Sequence, residues 1–337
     1  MTGRHGGEPS VALVGAGRMG RGMAVAIAFA GIPVALIDVK RRTPEELDSM
    51  RESAIAEIDG HLRALVRLGA LPDDRLAEVA NRVQVIGRSE ASAALAAADI
   101  VFEGASETLD AKREVFQFIN EHVDDDAVIA STTSTIISTD LAQLLAKPER
   151  FLNAHWLNPA FLMPIVEVSP HPGTDPAAVD RIDAFLRLVG KHPIRVAPTA
   201  GYIVPRLQAL IFNEAARMID DGVATPAEID EAVRLGFGFR FATVGPLEFI
   251  DISGLEMVKY ASGHLSEALG ERFQVAPAVE TRIADGRLGI RSGTGFYPWA
   301  DGADNGLVEG MITRQYALLE LLGVAPQFDG ARRETRD

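Results

Sequence analysis

The stretch Val11-Ala12-Leu13-Val14-Gly15-Ala16-Gly17-Arg18-Met19-Gly20 joins a short apolar run to a turn of the form G-x-G-x-x-G. The apolar run Val11–Val14 is typical of a strand that is buried on both faces. A helix-like segment, Arg21–Ala30, follows, and a second strand pattern ends at Asp38. Strand, glycine turn, helix, strand and acid within about thirty residues form the context in which this motif binds a dinucleotide.

Each position of the glycine turn has its own mechanical role. Gly15 permits the tight turn, Gly17 lets the backbone approach a pyrophosphate, and Gly20 lets the helix lie close to the strand. Arg18 and Met19 lie between these glycines, just before the helix whose N-terminal amides would face the phosphates. We therefore predict that all of these residues bind the cofactor.

Asp38 is the acid that selects the type of dinucleotide. Its carboxylate would accept hydrogen bonds from the adenosine ribose hydroxyls, and its charge would repel a 2′-phosphate. This favours NAD over NADP, and we predict NAD as the cofactor. The next cations, Lys40, Arg41 and Arg42, could neutralise such a phosphate, so use of NADP stays open.

The rest of the chain shows two kinds of secondary-structure pattern. Strand and helix patterns alternate as far as about residue 199, which predicts an α/β fold with a doubly wound, mainly parallel sheet of the Rossmann type. After a linker at Pro198–Gly201 the patterns are helical, at Val204–Gly222, Pro226–Arg234, Pro246–Leu269, Ala276–Asp285 and Leu307–Leu322. We expect a dinucleotide-binding domain over residues 1–199 and an all-helical domain over residues 200–337.

The composition excludes several classes of protein. The 337 residues are 47% apolar and 24% charged, as is ordinary for a globular enzyme. The net charge of −14 argues against a nucleic-acid partner. The absence of cysteine excludes disulfides and thiolate metal ligands, and we expect no metal. With neither a signal-peptide pattern nor an apolar run long enough for a membrane span, we expect a cytoplasmic protein with a small-molecule substrate and no membrane partner.

Polar segments follow three of the predicted strands. They are Glu103–Glu107, Ser131–Ser134 and His155–Asn158. Ligands of a doubly wound sheet bind beyond the carboxyl ends of its strands, so these segments are where we expect the chemistry.

His155 and Glu167 are candidates for proton transfer. Oxidation of a secondary alcohol by NAD needs a base for the hydroxyl proton, and imidazole suits this role near neutral pH. Glu167 lies in the next apolar strand, where a carboxylate needs a partner. A hairpin-like return would bring it to His155, whose ring it could orient. A core histidine and an unrelated edge-strand glutamate are the alternative.

Several motifs resemble those of one enzyme family. The segments Asn153–Pro159 and Pro164–Val168 resemble the H-x-x-N-P…P-x-V-E-V segment of the 3-hydroxyacyl-CoA dehydrogenase family. Ala130–Ser134, Phe102–Lys112 and Gly289–Tyr297 are similar to its S-N-T-S, V-E-A-x-x-E…K and G-x-x-x-G-x-G-F-Y elements. The motifs occur in order and cover most of the chain.

The resemblance implies a role for each matching catalytic residue. His155 would be the general base, or the acid in reduction, and Glu167 its orienting carboxylate. Ser134 would bond the 3-oxygen of the substrate, and Asn158 would help to hold His155 and the substrate carbonyl.

The resemblance also implies further contacts, an assembly and a reaction. Glu107 and Lys112 would line the cofactor groove, and the helical domain would cap the substrate and form a homodimer. The expected reaction is NAD-dependent oxidation of the 3-hydroxyl of a short L-3-hydroxyacyl substrate, of the 3-hydroxybutyryl-CoA type, in fatty acid metabolism.

Two departures from the family pattern weaken the expected contacts to coenzyme A. Pro205 precedes Arg206 where members that act on thioesters usually carry Asn. The helix around His61–Leu68 offers Arg63 and Arg67 but no lysine.

A third departure leaves the substrate open. The stretch between Gly238 and Gly245 resembles the branch that acts on free hydroxy acids (gulonate, carnitine and the related lens crystallin). Arg240 could bind a substrate carboxylate bidentately, or it could be a surface ion-pair partner; Arg206 is the second residue that we assign to the substrate.

Three alternatives therefore remain open. The first is the same chemistry on a free 3-hydroxy acid held by Arg240, and the second is a non-catalytic, crystallin-like NAD-binding protein. The third is an enzyme of the 3-hydroxyisobutyrate or 6-phosphogluconate type, which uses a lysine where this chain has Pro205 and Arg206.

Overall fold

The computed structural model describes residues 9–300 and 303–326, and in that part of the chain eight strands form one sheet. The strands are β1 (Val11–Val14), β2 (Val34–Asp38), β3 (Val83–Gly87), β4 (Ile100–Glu103), β5 (Val128–Ser131), β6 (Phe151–Trp156), β7 (Ile165–Pro170) and β8 (His192–Arg195). Their order is β3-β2-β1-β4-β5-β6-β7-β8, and β6 and β7 are antiparallel whereas the other neighbours are parallel. The predicted doubly wound, mainly parallel sheet is confirmed.

Helices cover both faces of this sheet. They are α1 (Arg18–Phe29), α2 (Pro44–Arg67), α3 (Leu76–Ala80), α4 (Ala91–Ala97), α5 (Leu109–His122), α6 (Ser138–Ala142) and α7 (Pro176–Leu188). Val11 and Leu13 of β1 belong to the core cluster that contains α1, α2 and α7. Ala12 and Val14 belong to the cluster that contains α4 and α5. Since neighbouring strand residues point to opposite faces, this explains why β1 is apolar throughout.

The glycine turn between β1 and α1 requires its glycines. Gly15 has a φ of +126°, in the region that favours glycine. A Cβ on Gly20 would lie 2.1 Å from the Gly15 carbonyl oxygen, so α1 approaches the turn too closely for any side chain there.

The described chain divides into two compact units, the first ending at Phe212 and the second beginning at Asn213. The division falls inside a long helix, so the domain boundary expected at residue 199 stays a prediction. The helices of the C-terminal region are α8 (Val204–Asp220), α9 (Pro226–Ala232), α10 (Gly238–Phe241), α11 (Pro246–Ser253), α12 (Leu255–Leu269), α13 (Pro277–Ala284) and α14 (Ala303–Leu321).

One prediction for the helical region is wrong in detail. The single helix expected over Pro246–Leu269 is interrupted at Gly254, whose φ of +93° ends α11 before α12 begins. The stretch after Arg234, to which we assigned no element, forms a π-helical segment, Val233–Phe237, with a kink at Gly236, and then α10. Its glycines hide the helical periodicity because they contribute no apolar side chain to the pattern.

A buried carboxylate organises the second unit. Asp251 is 1% exposed; its Oδ1 accepts a hydrogen bond from the Phe296 amide at 2.9 Å, and its Oδ2 accepts from the Tyr297 amide and Trp299 Nε1 at 2.9 Å each. A Cβ on Gly295 would lie 2.2 Å from Asp251 Oδ1. The G-x-G-F-Y motif is therefore a loop wrapped around this carboxylate.

We expect Gly295→Ala to destabilise the protein by about 2 kcal/mol or more, because the methyl group displaces the Asp251 carboxylate from its amide donors. The free energy of unfolding in urea measures this. Gly263→Ala is the control, since its Cβ would meet nothing within 4 Å in α12, and it should stabilise by up to about 1 kcal/mol. Equal effects of the two substitutions would contradict the role of Asp251.

Candidate active site

The antiparallel turn between β6 and β7 brings the two predicted proton-transfer residues together. His155 lies directly opposite Glu167 in the strand register. The Nδ1 atom of His155 is 2.8 Å from Oε2 of Glu167, and the two residues are 4% and 0% exposed. The predicted hairpin-like contact between imidazole and carboxylate is present.

Glu167 is held by donors from two sides. Its Oε1 accepts hydrogen bonds from the backbone amides of Ile203 at 2.8 Å and Val204 at 2.9 Å, where α8 begins. Burial by itself raises the pKa of Glu167. The hydrogen bond to His155, the two amides and the charge of His155 together outweigh burial, and they hold the pKa of Glu167 below its usual range. The carboxylate is therefore ionised near neutral pH and fixes the ring of His155.

The other ring nitrogen of His155 faces a hydroxyl. Nε2 lies 3.2 Å from Ser134 Oγ. With Nδ1–H donated to Glu167, Nε2 carries the lone pair and accepts from the hydroxyl. This is the tautomer that a general base requires.

Glu107 holds the turn that carries this hydroxyl. Its Oε1 accepts from the Ser134 amide at 3.0 Å and its Oε2 from Thr133 Oγ1 at 2.7 Å. The carboxylate thus bonds to the turn, and its expected place in the cofactor groove stays a prediction.

Lys112 is enclosed in the protein, which corrects the expectation that it lines the cofactor groove. It is 0% exposed, and its Nζ lies 2.9 Å from both carboxylate oxygens of Glu103. Ser131 Oγ donates to the same carboxylate at 2.6 Å. The ion pair fixes the end of β4. A buried pair of this kind persists only when its remaining polar atoms are also hydrogen-bonded, as they are here. From the same helix, α5, Ala111 and Val115 line a cavity beside the glycine turn.

Tyr202 belongs to the site and was not predicted. Its ring stacks on His155, with centroids 5.2 Å apart and an interplanar angle of 25°. Its hydroxyl donates to the Thr133 carbonyl at 3.1 Å and accepts from Asn153 Nδ2 at 2.9 Å. Burial raises the pKa of Tyr202 well above its usual range, so the phenol stays protonated. The available signal was an aromatic residue directly after Gly201 in the linker.

Asn158 is exposed on the turn after β6, next to a cis peptide bond with Pro159. None of the hydrogen bonds found among the described residues joins it to His155, so the expectation that it holds the ring is not met. Lys191 fixes the same turn, because its Nζ donates hydrogen bonds to the carbonyls of Ala160 at 2.7 Å and Met163 at 2.8 Å. Burial lowers the pKa of Lys191 to about 8.

The two arginines assigned to the substrate make other contacts. Arg206 Nη2 donates to Thr199 Oγ1 at 2.9 Å and to the Ala200 carbonyl at 3.0 Å, and so ties down the linker. Arg240 is exposed, and its guanidinium carbon lies 4.5 Å from the ring centroid of Phe249.

A cavity of about 680 Å³ lies beside the glycine turn, lined by Gly15, Gly17 and Asp38 and, from the segment after β4, by Gly104–Ser106. A Cβ on Gly17 would meet nothing within 4 Å, so open space adjoins the backbone where a pyrophosphate would lie. These residues fit a dinucleotide.

The two other residues of the motif differ in exposure. Arg18 is exposed at the first turn of α1, whereas Met19 packs against the hydrophobic core. Their predicted contacts to the cofactor stay predictions.

Residues 9–300 and 303–326 contain neither a candidate metal site nor a candidate membrane span. No group of three or more His, Asp or Glu side chains there is placed to hold a metal ion. None of the helices in those ranges combines the length and apolar character needed to cross a membrane.

A dinucleotide cavity and an oriented imidazole on the same sheet define the class of a dinucleotide-dependent oxidoreductase. A family model described as the 3-hydroxyacyl-CoA dehydrogenase NAD binding domain matches residues 10–199, and the model for the C-terminal domain of the same family matches residues 201–299. The chain belongs to the 3-hydroxyacyl-CoA dehydrogenase family, and it is an NAD-dependent oxidoreductase. The match to both domains argues against the 3-hydroxyisobutyrate or 6-phosphogluconate type.

Individual relatives differ in their substrates. The 5-formyl-3-hydroxy-2-methylpyridine 4-carboxylate 5-dehydrogenase of Mesorhizobium japonicum is 32% identical over 86% of this chain and 90% of its own length. The bovine (Bos taurus) lambda-crystallin homolog is 35% identical over 74% of this chain and 76% of its own. The solved 3-hydroxyacyl-CoA dehydrogenase of Archaeoglobus fulgidus has a TM-score of 0.73 and 30% identity, covering 93% of this chain and 99% of that one.

We expect Glu167→Gln to lower kcat by roughly 10³- to 10⁴-fold, as when the orienting carboxylate of a catalytic histidine is removed. The new amide would donate to Nδ1 and force the proton onto Nε2, whereas its oxygen still accepts from Ile203 and Val204. Turnover should therefore fall while NADH binding and stability persist. Glu149→Gln, at an exposed position, is the control; full activity of Glu167→Gln would refute the catalytic role of the pair.

Proposed function

We propose that the protein oxidises the 3-hydroxyl of a short L-3-hydroxyacyl substrate, of the 3-hydroxybutyryl-CoA type, to the 3-keto product, and catalyses the reverse reduction. The observation that carries this proposal is the bonded chain Glu167–His155–Ser134, with Nδ1 and Nε2 of one ring engaged at 2.8 Å and 3.2 Å. A role in fatty acid metabolism, which this substrate would imply, stays a prediction, and so does the cytoplasmic location expected from the sequence.

In the proposed mechanism Nε2 of His155 removes the proton of the 3-hydroxyl. Ser134 Oγ positions that oxygen, and Glu167 stabilises the imidazolium as it forms. The glycine turn and Asp38 would hold NAD, whose nicotinamide would supply the acceptor for the hydride on C3. In reduction the imidazolium returns its proton to the developing alkoxide.

The neighbouring residues keep this geometry fixed. Tyr202 lies flat against His155 and, with its hydroxyl bonded at both lone-pair and proton positions, limits the rotation of the imidazole. Glu107 holds the amide of Ser134. Such support matters because misplacement of a catalytic group by about 1 Å can cost 10²-fold in rate.

The same chemistry on a free 3-hydroxy acid is the second candidate. The Mesorhizobium relative is named for a substrate with a carboxylate, and the helix that would contact coenzyme A carries arginines but no lysine around His61. Among the described residues Arg240 has no carboxylate partner, and its guanidinium is exposed. A substrate carboxylate would suit it as a bidentate ligand.

NADH oxidation with acetoacetyl-CoA and with acetoacetate separates the two candidates. We expect the thioester to be the better substrate, with a kcat/KM at least about tenfold higher, and Arg240→Met to leave thioester turnover unchanged. If the free acid is the substrate, Arg240→Met should lower its kcat/KM by roughly 10- to 100-fold, the value of one charge-assisted pair. Arg234→Met, another exposed position, is the control. Turnover of the free acid alone would refute the thioester proposal, and tight NADH binding without any turnover would favour a non-catalytic, crystallin-like role.

We also propose that the protein is a homodimer in which a second copy covers α8. This helix has no buried residue, and its Leu207, Leu210 and Ile211, which share one face at i, i+3 and i+4, are 46%, 64% and 38% exposed. A continuous apolar face of this kind is unusual on a monomer. In a dimer with twofold symmetry the interface is formed by the same surface of both protomers, so the apolar face of α8 can pack against its own copy.

Sedimentation velocity tests the dimer. The wild-type protein should sediment as a particle with twice the mass of one chain. Leu210→Glu should sediment as a monomer, because it places a charge in the apolar contact. Leu68→Glu alters a leucine of similar exposure, 68%, at the end of α2 and should leave the dimer intact. A wild-type monomer, or dimers of the Leu210 variant, would contradict the proposal.

A further inference from the structure

Asp38, the acid that favours NAD, already forms an ion pair with an arginine in this protein. Arg42 Nε donates to Asp38 Oδ2, and the Lys40 amide approaches Oδ1 at 3.4 Å. Asp38 is 5% exposed, so this pairing takes place in a largely buried setting. The repulsion between the carboxylate and a phosphate on the adenosine ribose is correspondingly reduced.

A second cavity of about 570 Å³ adjoins the cofactor cavity at this point. Lys40, Arg41 and Arg42 line both cavities, whereas Asp38 lines the cofactor cavity alone. The two cavities therefore adjoin at the segment after Asp38, where the ribose of a bound adenosine would lie.

The lining of the second cavity is basic. It carries four cationic residues, Lys40, Arg41, Arg42 and Arg88, against one carboxylate, Glu121; Arg42 and Arg88 also pair with Asp38 and Glu114, which line the cofactor cavity. Arg88 is held in place, since its Nη1 donates to the Val39 carbonyl at 3.0 Å and its guanidinium carbon lies 4.2 Å from the ring centroid of Phe118.

Two hydroxyls complete the lining of the second cavity. Ser89 and Ser92 belong to it, and hydroxyls can donate to phosphate oxygens beside the guanidinium groups. Fixed guanidinium groups with neighbouring hydroxyls are the chemistry that recognises a phosphate monoester.

We propose that the second cavity binds the 2′-phosphate of NADP(H), so that this NAD-dependent protein also uses NADP(H). Arg42 is the residue that would respond to the phosphate: with the ribose hydroxyls free it bonds Asp38, and with a 2′-phosphate present its guanidinium would bridge the carboxylate and the phosphate. Lys40, Arg41 and Arg88 supply the remaining positive charge. The proposal rests on the cofactor site and is independent of the substrate.

Binding of adenosine nucleotides tests the proposal without any substrate. Calorimetric titrations would compare adenosine 5′-monophosphate with adenosine 2′,5′-bisphosphate and adenosine 3′,5′-bisphosphate at low salt. We expect the 2′,5′-bisphosphate to bind about tenfold more tightly than the monophosphate, the value of one charge-assisted pair. We expect the 3′,5′-bisphosphate to gain less. Equal gains for the two bisphosphates would indicate an unspecific anion cavity, and weaker binding of the 2′,5′-bisphosphate than of the monophosphate would refute the site; both results overturn the proposal.

Two variants assign the effect to residues. Arg42→Gln should abolish the preference for the 2′-phosphate, because it removes the bridging charge and leaves the Asp38 carboxylate without its guanidinium partner. Asp38→Asn should raise the preference by a further tenfold or so and let NADPH support turnover in preference to NADH. Arg113→Gln is the control, since this exposed arginine of α5 pairs with Asp110 outside both cavities. An unchanged preference in Arg42→Gln would overturn the assignment.

Discussion

The site depends on the carboxylate of Glu167, which is buried and has a hydrogen-bond partner at each of its oxygens. Glu167 is 0% exposed in a strand whose neighbours are apolar. A buried charge without partners costs several kcal/mol, and removal of one partner of a buried pair is strongly destabilising. Here the imidazole of His155 and the amides of Ile203 and Val204 meet that cost. Two strands and the start of α8 are thereby tied to one side chain.

The antiparallel direction of β7 makes this possible. In a parallel strand after a crossover helix, no short turn would place Glu167 opposite His155. Because side chains alternate between faces, a slip of one residue would also move the carboxylate to the other face of the sheet. The turn between the strands is held in turn by Lys191, which bonds the carbonyls of Ala160 and Met163.

The sequence predicts what depends on local pattern and fails where distant segments decide. Val11–Gly20 identifies its own strand and turn because an unbroken apolar run leads directly into glycines at fixed spacing, and the charge of Glu167 in an apolar run points to a partner. The stacking of Tyr202 on His155 occurs directly after the linker, at a residue with a φ of +42°, and no periodicity encodes this. Lys112 reads as a groove residue until Glu103 is known to lie beside it, since burial of a lysine is set by its partner.

The acidic character of the chain is partly structural. Glu103, Glu107, Glu167 and Asp251 each accept hydrogen bonds from the backbone amides of a loop, so their carboxylates act as loop anchors in both units. Charge-assisted hydrogen bonds are about twice as strong as neutral ones and are directional, so an anchor of this kind fixes a loop without a large apolar core. Glu167 differs from the other three because one of its donors is a titratable ring. The same carboxylate that anchors α8 to β7 through Oε1 therefore also sets the tautomer of His155 through Oε2, and this joins the stability of the fold to the chemistry of the site.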